Sequence, residues 1–170
     1  MLGGGALSFG PEDIRRQYLP AIIAGDLQCA FAHHEPNHTA ERYYVGTTAL
    51  QSKDSWQLNG VKSIVSNAPH SGLLVLTARI KGRKHDSDGI GLFVVDKNVR
   101  GVHCDDYLTI DGRRASEITL NEVEVGRGAL LTVDAGQLDT LLDRACFAVC
   151  AEAVGAMSAL ISMTIDYCQQ

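Results

Sequence analysis

Residues that could bind a metal ion or exchange a proton stand close together near the start of the chain: His33, His34, Glu35 and His38. Imidazole nitrogens and carboxylate oxygens are ligands that zinc accepts, so residue type alone allows a metal site. Pro36 prevents these residues from sharing one face of a helix, and adjacent residues of a strand point to opposite sides of a sheet. We therefore predict no metal site here. Contacts with a bound ligand and plain surface histidines are the two favoured alternatives, and a metal site is the least favoured.

A hydroxyl and a glycine run are the other short motifs that could take part in binding. Ser66 precedes Asn67-Ala-Pro at the end of an alternating apolar stretch, where it could bond a ligand or begin a turn. The Gly3-Gly4-Gly5 run lacks the Lys-Ser/Thr ending of a phosphate-binding loop and the G-x-G-x-x-G spacing of a dinucleotide site. We expect a flexible linker or the remnant of a helix boundary at these glycines.

Composition places the chain among ordinary globular proteins and excludes several kinds of partner. Hydrophobic residues make up 45% of the 170 residues and charged residues 21%. The net charge of -5 argues against a nucleic acid or an anionic membrane as the main partner. Five cysteines at irregular spacing, without a CxxC pair, indicate reduced thiols. Because no signal peptide is recognisable at the N-terminus, we expect a cytoplasmic protein.

The middle of the chain has the pattern of an antiparallel β-structure. About seven short β-type runs, separated by polar turns, occupy residues 27–125 with no long helix between them. The Asn59-Gly60 step between two alternating segments predicts a hairpin turn. A short helix precedes this region from Pro11, and Pro20 is expected to end it. The fold class that follows is α+β: an antiparallel β-barrel or sandwich flanked by a short N-terminal helix and a long C-terminal helix.

The C-terminal part is expected to form one long helix, from about Ala135 to Gln170. Apolar residues recur there at spacings of three and four, and small residues such as Ala148 and Gly155 fill the other faces. A membrane-spanning helix needs about 20 strongly apolar residues, whereas this one is dominated by Ala, Ser, Gly and Cys. We therefore predict a helix packed on all sides by protein, without a membrane span. Its partners come from another subunit or from sequence outside this chain, so an oligomer is expected.

Several strings, in one consistent register, resemble the acyl-CoA dehydrogenase family. YLPAIIAGDLQCAFAHHEP resembles the stretch leading into that family's first β-strand, and SWQLNGVKSIVSN resembles its aromatic-x-Leu-Asn-Gly-x-Lys block. GIGLFVVDKNVRGV and ASEITLNEVEV resemble two further strands, and AEAVGAMSALISMTIDYC resembles the first helix of the C-terminal domain. DGRRASEITL is also similar to the branch of pimeloyl-CoA dehydrogenase small subunits. The resemblance divides the chain into a remnant of the N-terminal helical domain (1–26), the middle β-domain (27–128) and a truncated C-terminal domain (129–170).

The resemblance implies FAD-dependent dehydrogenation of an acyl-CoA thioester between its α and β carbons. A glutamate base takes the α-proton, flavin N5 takes the β-hydride, and an electron-transferring flavoprotein reoxidises the FAD. That base belongs to a later part of the family's C-terminal domain, so no catalytic residue is assigned and the chain alone is expected to be inactive. The alternatives are a catalytically inactive subunit that packs against a complete dehydrogenase, and a β-barrel that binds a small ligand.

The resemblance also assigns five cofactor contacts. Phe31 and His33 match positions that line the flavin ring, and His34 stands where the family has a hydroxyl residue that bonds the ring's pyrimidine edge. Imidazole can still donate such a hydrogen bond. Ser66 matches a hydroxyl contact near flavin N5, and Ile64 stands where most members carry a Trp or Phe against the ring.

The expected substrate loop departs from the family. Residues 37–41 replace the common Gly-x-Gly-Ser-Asp string, and they lack both glycines and the serine associated with the cofactor and CoA. Thr39 keeps a hydroxyl at this loop, whereas Ala40 does not. We expect Thr39 and Ala40 to contact the substrate, with a changed substrate preference or a loss of activity.

Overall fold

The computed structural model describes residues 2–38 and 41–169 of the chain. Within these residues it has three α-helices, eight β-strands and two single-turn 3-10 helices. The α-helices are α1 (Leu2–Leu7), α2 (Glu12–Ala24) and α3 (Ala135–Cys168). The 3-10 helices are Ala68–His70 and Arg127–Ala129. The strands are β1 (Cys29–Ala32), β2 (Thr48–Gln51), β3 (Ser55–Ser66), β4 (Leu73–Arg79), β5 (Ile90–Asp96), β6 (Val102–Leu108), β7 (Arg114–Gly126) and β8 (Leu130–Thr132).

The strands form one sheet in the order β6-β7-β3-β2-β4-β5-β8, with β1 paired to β4. Five pairs of these described strands are antiparallel, whereas β1–β4 and β2–β4 are parallel. The predicted α+β class, with a β-domain between a short N-terminal helix and a long C-terminal helix, is confirmed. The parallel pairing of β1 with β4 was not predicted. It is possible because β2 and β3 lie between them in the chain and supply the long crossover that parallel neighbours need.

The core lies where alternate residues of the central strands meet. Trp56 and Leu58 of β3 are buried with Phe93 of β5, and the indole and phenyl rings meet edge to face with centroids 5.3 Å apart. Burying one such side chain contributes about 2–3 kcal/mol. β4 is buried along its whole length, as a central strand covered on both faces must be. The alternating apolar residues that predicted separate strands are therefore the residues that these strands bury together in one core.

The N-terminal helices differ in detail from the prediction. The Gly3-Gly4-Gly5 run lies inside α1 and is not a linker. A Cβ atom on Gly3 would come within 2.5 Å of Cys29 Sγ, so glycine allows α1 to approach β1 closely. The prediction that Pro20 ends the next helix was wrong. That helix continues to Gly25, whose φ of 86° forms a left-handed cap that satisfies the last carbonyls.

β3 runs unbroken through Asn59 and Gly60, so the predicted hairpin turn was wrong. The Asn59 side chain instead accepts a hydrogen bond from the Glu122 N–H at 2.8 Å, beside a shift in register between β3 and β7. Gly60 has a φ of 155°, and a Cβ there would lie 2.5 Å from Thr47 Oγ1 and 2.6 Å from Thr47 Cα. The Asn-Gly pair therefore serves a β-bulge and a close approach of the neighbouring segment.

The chain divides into two units, residues 1–138 and residues 139–170. The first holds the sheet and its N-terminal helices. In the second, every described residue from Val149 onward is exposed. By length and composition alone α3 could cross a membrane, a test that helices buried within protein also pass. The large apolar side chains exposed in this unit are Phe147, Val149, Val154, Met157, Leu160, Ile161, Met163, Ile165 and Tyr167.

Candidate functional site

The segment just after β1 lies against the second half of β3, and we call this contact the junction. The Ser63 N–H donates to the carbonyl of His34 at 2.9 Å. The Lys62 ammonium donates to the carbonyl of His33 at 3.3 Å. Two consecutive carbonyls of one segment are therefore held by two consecutive residues of the other. The junction brings into one region the two groups of predicted cofactor contacts, which are far apart in the sequence.

A buried ion pair lies at the junction. Lys62 is fully buried, and its Nζ donates to Glu35 Oε1 at 2.7 Å and to Thr77 Oγ1 at 3.1 Å. The Glu35 carboxylate also accepts from the N–H groups of Gly46 and Thr47, at 2.8 and 2.9 Å. The Thr47 hydroxyl donates to it at 2.7 Å. The carboxylate thus has four donors, which is how a buried charge is compensated.

Both members of the pair are charged at neutral pH. Burial lowers the pKa of Lys62 to about 8, although the neighbouring Glu35 charge opposes this shift. Burial alone would raise the pKa of Glu35, but the Lys62 charge and the hydrogen bonds from Lys62 and Thr47 hold that pKa below its ordinary value. Removing one partner would therefore leave the other as an uncompensated buried charge.

His33 is buried and bonded through both ring nitrogens. Its Nε2 lies 3.0 Å from the Arg42 carbonyl oxygen, and its Nδ1 lies 3.1 Å from Thr77 Oγ1. Because a carbonyl can only accept, we assign the proton to Nε2, and Nδ1 then accepts from the Thr77 hydroxyl. Burial and the Lys62 charge lower the pKa of His33 to about 4. The imidazole is therefore neutral at pH 7 and fixed in one tautomer.

The other predicted cofactor contacts on this segment offer different surfaces. Phe31 is half-buried and stacks with His33, their ring centroids 6.0 Å apart. His34 and Ser66 are exposed, and within the described part of the chain neither the His34 ring nor the Ser66 hydroxyl makes a hydrogen bond. Burial and the Lys62 charge lower the pKa of His34, which favours a neutral imidazole with one N–H to donate. The junction thus presents two unused polar side chains and an aromatic ring.

Ile64 lies in a bulge of β3 in the left-handed region, with a φ of 53°. For a β-branched residue this backbone conformation costs on the order of 1–3 kcal/mol. Glu117 holds it, because its carboxylate accepts from the Ile64 N–H and from the Tyr107 hydroxyl, each at 3.1 Å. The Ile64 side chain stays half-exposed. An aliphatic side chain on a constrained bulge therefore takes the place where the resemblance expects an aromatic ring.

Arg79 fixes the two loops next to the junction. Its side chain is buried, and its guanidinium donates only to backbone carbonyls within the described residues. These bonds tie the segment that follows the expected substrate loop to the charged loop between β4 and β5. The five acceptors, at 2.7–3.4 Å, are the carbonyls of Tyr43, Val45, Lys84, Asp86 and Asp88.

The predicted substrate contacts Thr39 and Ala40 lie outside the described residues. Close to them in the chain, the Glu41 carboxylate lies 2.7 Å from His38 Nδ1 and 2.9 Å from His85 Nδ1. Glu41 therefore links the expected substrate loop to the loop between β4 and β5, at the surface.

The residues considered as metal ligands are directed to different partners. His33 bonds Thr77, Glu35 pairs with Lys62, and His38 pairs with Glu41. In residues 2–38 and 41–169, no group of three His, Cys, Asp or Glu side chains is arranged to hold a metal ion.

Sequence reasoning missed the role of Lys62 and considered Glu35 only as a metal ligand. A signal was present in the Leu-Asn-Gly-x-Lys string, which places Lys62 in an expected β-strand close to the apolar residues Val61, Ile64 and Val65. A buried lysine needs a carboxylate partner, and Glu35 precedes a proline at the end of another strand.

A cavity of about 450 Å³ opens between the N-terminal helices and the start of β1. Its lining includes Leu19, Ile22, Gln28 and Asn67. The Asn67 side-chain amide donates to Gln28 Oε1 at 3.0 Å. Asn67 directly follows Ser66 in the chain. The predicted hydroxyl contact is therefore adjacent in sequence to a residue that lines a cavity large enough for a small ligand.

The sheet unit matches a known family model, that of the middle domain of acyl-CoA dehydrogenases. The match covers residues 30–123, more than half of the chain. It includes the junction and most of the sheet.

Curated relatives extend the match over the whole chain. The chain is 29% identical to a 3-(aryl)acrylate reductase from Clostridium sporogenes, over 100% of this chain and 46% of that protein. It is 28% identical to an acyl-CoA dehydrogenase from Bacillus subtilis, over 96% of this chain and 45% of that protein. The chain therefore spans less than half the length of these relatives.

Solved structures share the fold. A glutaryl-CoA dehydrogenase from Mycobacterium smegmatis superposes with a TM-score of 0.77 at 26% identity, over 86% of this chain and 38% of that one. A glutaryl-CoA dehydrogenase from the same organism in complex with FADH2 gives a TM-score of 0.68 at 25% identity, over 78% of this chain and 35% of that one. From the family model, the relatives and the fold together, we conclude that the chain belongs to the acyl-CoA dehydrogenase family.

Proposed function

We propose that this chain supplies part of the FAD site of an acyl-CoA dehydrogenase-type oxidoreductase. The observation that carries the proposal is the junction, where β3 holds the end of β1 and the His34 ring and the Ser66 hydroxyl are left exposed without a partner among the described residues. Unpaired polar side chains on an ordered scaffold are typical of a ligand site. The structure of a relative with FADH2 supports a flavin as that ligand.

The chemistry of these side chains fits the polar edge of a flavin ring. A neutral His34 imidazole can donate one hydrogen bond to a ring oxygen or nitrogen, and the Ser66 hydroxyl can donate or accept. Phe31, which stacks with His33, adds an aromatic ring on the same segment. When bound, FAD supplies the acceptor for a hydride, and the role of these residues is to bind and orient it. Ile64 would give the ring an aliphatic contact without aromatic stacking.

The proposed reaction of the whole protein is α,β-dehydrogenation of an acyl-CoA thioester. The names of relatives support a CoA thioester, since they include a glutaryl-CoA dehydrogenase from Desulfococcus multivorans and an acryloyl-CoA reductase from Anaerotignum propionicum. A caffeyl-CoA reductase-Etf complex subunit supports an electron-transferring flavoprotein as the electron acceptor. Thr39 and Ala40 are the proposed substrate contacts. The glutamate base is not assigned to any residue of this chain, so the chain alone is proposed to be inactive.

We also propose a cytoplasmic oligomer formed through α3. The large apolar side chains exposed on its second half support a protein partner for this helix. The pimeloyl-CoA dehydrogenase small-subunit branch stays a prediction from the sequence.

The test of the proposed function is reconstitution of the purified 170-residue chain with FAD. Size-exclusion chromatography with light scattering would report the mass of the protein peak and its flavin absorbance in one run. We expect flavin to coelute, and we expect Ser66→Ala and His34→Ala to reduce the amount retained. Ser52→Ala, at an exposed serine between β2 and β3, is the matched control. A colourless peak would contradict the proposal and favour an inactive subunit or a β-barrel for another ligand.

A further inference from the structure

We propose that Lys62 and Glu35 are the positioning residues of the flavin site: they hold the end of β1 against β3 so that His34 and Ser66 stay in register. This inference rests on the proposed function. Neither residue is proposed to touch the flavin. Their role is to fix the backbone that carries the residues that do.

The first support is the set of atoms that the pair joins. Lys62 Nζ bonds the carbonyl of His33, and the next residue of β3 bonds the next carbonyl of the β1 segment. Glu35 accepts from Gly46 and Thr47, at the start of the segment that leads into β2. One ion pair thus connects three separate parts of the chain around the exposed His34 ring.

The second support is the charge state of the buried side chains at the junction. Lys62 and Glu35 compensate each other, their side chains 0% and 7% exposed. His33 is bonded through both ring nitrogens as a neutral group. The ion pair therefore adds no net charge of its own to the junction, and the buried Arg79 guanidinium is the further charge that interacts with both members. Replacing one partner leaves the charge of the other unpaired, whereas replacing both removes the ion pair without changing the net charge of the region.

This difference defines the variants. Lys62→Met and Glu35→Gln each leave one charge of the pair without its partner, and the double variant Lys62→Met/Glu35→Gln removes both charges of the pair. Lys53→Met removes a lysine of the same chemistry from an exposed position outside the junction, and it is the matched control. Ser66→Ala removes a direct contact and calibrates the effect of losing one flavin hydrogen bond.

The measurement is the dissociation constant for FAD, from flavin fluorescence, at a temperature where each variant is folded. We expect the double variant to bind FAD roughly tenfold more weakly than the original chain. A tenfold change corresponds to about the free energy of one lost hydrogen bond. Lys53→Met should bind as the original chain does. We also expect the affinity of the original chain to fall as the pH rises through the pKa of Lys62, about 8, and that of the double variant not to show this fall. A purely structural role of the pair would not produce this difference in pH dependence between the original chain and the double variant.

Hydrogen exchange without FAD gives a readout independent of the flavin. In the double variant the Ser63 amide should exchange faster, while amides of β4 such as that of Leu76 keep their protection. If Lys62→Met does not fold, the double variant, whose net charge equals that of the original chain, carries the test alone.

The outcomes separate the two proposals. If the original chain does not bind FAD, both the proposed function and this inference are wrong. If it binds FAD, and the double variant binds within twofold of it with an unchanged Ser63 amide, the pair does not position the site and only this inference is overturned.

Discussion

Acidification should destabilise the sheet unit through His33. In the folded chain both ring nitrogens of His33 are used, and burial with the Lys62 charge lowers its pKa to about 4 from an ordinary value of 6.5. Below pH 6.5 the unfolded chain therefore takes up a proton that the folded chain does not. The free energy of unfolding must fall as the pH is lowered from 6.5 towards 4.

The size of this effect follows from the two pKa values. A tenfold difference in proton affinity is worth about 1.4 kcal/mol, so the gap at His33 corresponds to about 3 kcal/mol between pH 7 and pH 4. That is a large part of the 5–15 kcal/mol that typically separates folded from unfolded domains. Glu35, whose pKa is also below its ordinary value, adds a loss in the same direction at still lower pH.

The assay is urea unfolding at a series of pH values, followed by the fluorescence of Trp56. It is the single tryptophan of the chain, and it is buried in the core against Phe93. His33→Gln is the matched variant, because its amide offers one donor and one acceptor and does not titrate. The original chain should lose about 3 kcal/mol more than His33→Gln between pH 7 and pH 4. A difference below about 1 kcal/mol would refute the assignment of a buried, neutral His33.

Three further substitutions test other parts of the structure. Arg79→Lys keeps the charge, but a lysine has too few donors for five carbonyls. We therefore expect the free energy of unfolding in urea to fall by about 2–4 kcal/mol and proteolysis in residues 81–89 to become faster. Equal cleavage rates would contradict this. Gly60→Ala places a Cβ 2.5 Å from Thr47 Oγ1. We therefore expect a lower thermal midpoint and a loss of at least about 2 kcal/mol in the free energy of unfolding. An unchanged midpoint would show that Thr47 can move away. Glu117→Ala removes the acceptor of the Ile64 N–H, so we expect a loss of about 1–2 kcal/mol and faster hydrogen exchange at that amide; an amide that stays protected would contradict the role of Glu117.

Local patterns predicted the β-domain because its strands alternate around one core. The alternation of Trp56 and Leu58 with polar residues corresponds to burial in the structure. The same reasoning failed at Asn59-Gly60, since an Asn-Gly pair suits both a tight turn and a bulge, and only the partner strand decides between them. The prediction that Pro20 ends its helix failed for a related reason. The helix continues past Pro20 to the cap at Gly25, whereas local sequence alone would end it earlier.

The candidate site was less predictable because its order depends on contacts between distant residues. Lys62 and Glu35 are 27 positions apart, and each alone reads as an ordinary surface charge. The enclosure of His33 likewise depends on Thr77, 44 positions away. Motif reasoning could propose flavin contacts, but it could not separate an exposed His34 from an enclosed His33.

The most direct test of the central claim is to map FAD onto the isotope-labelled chain by NMR. The account predicts that backbone amide signals of His34 and Ser66 shift together as FAD is added and saturate at one equivalent. Signals of residues 139–169 should not follow the same curve. Shifts confined to α1 and α2, or no shifts at all, would contradict the assignment of the flavin to the junction.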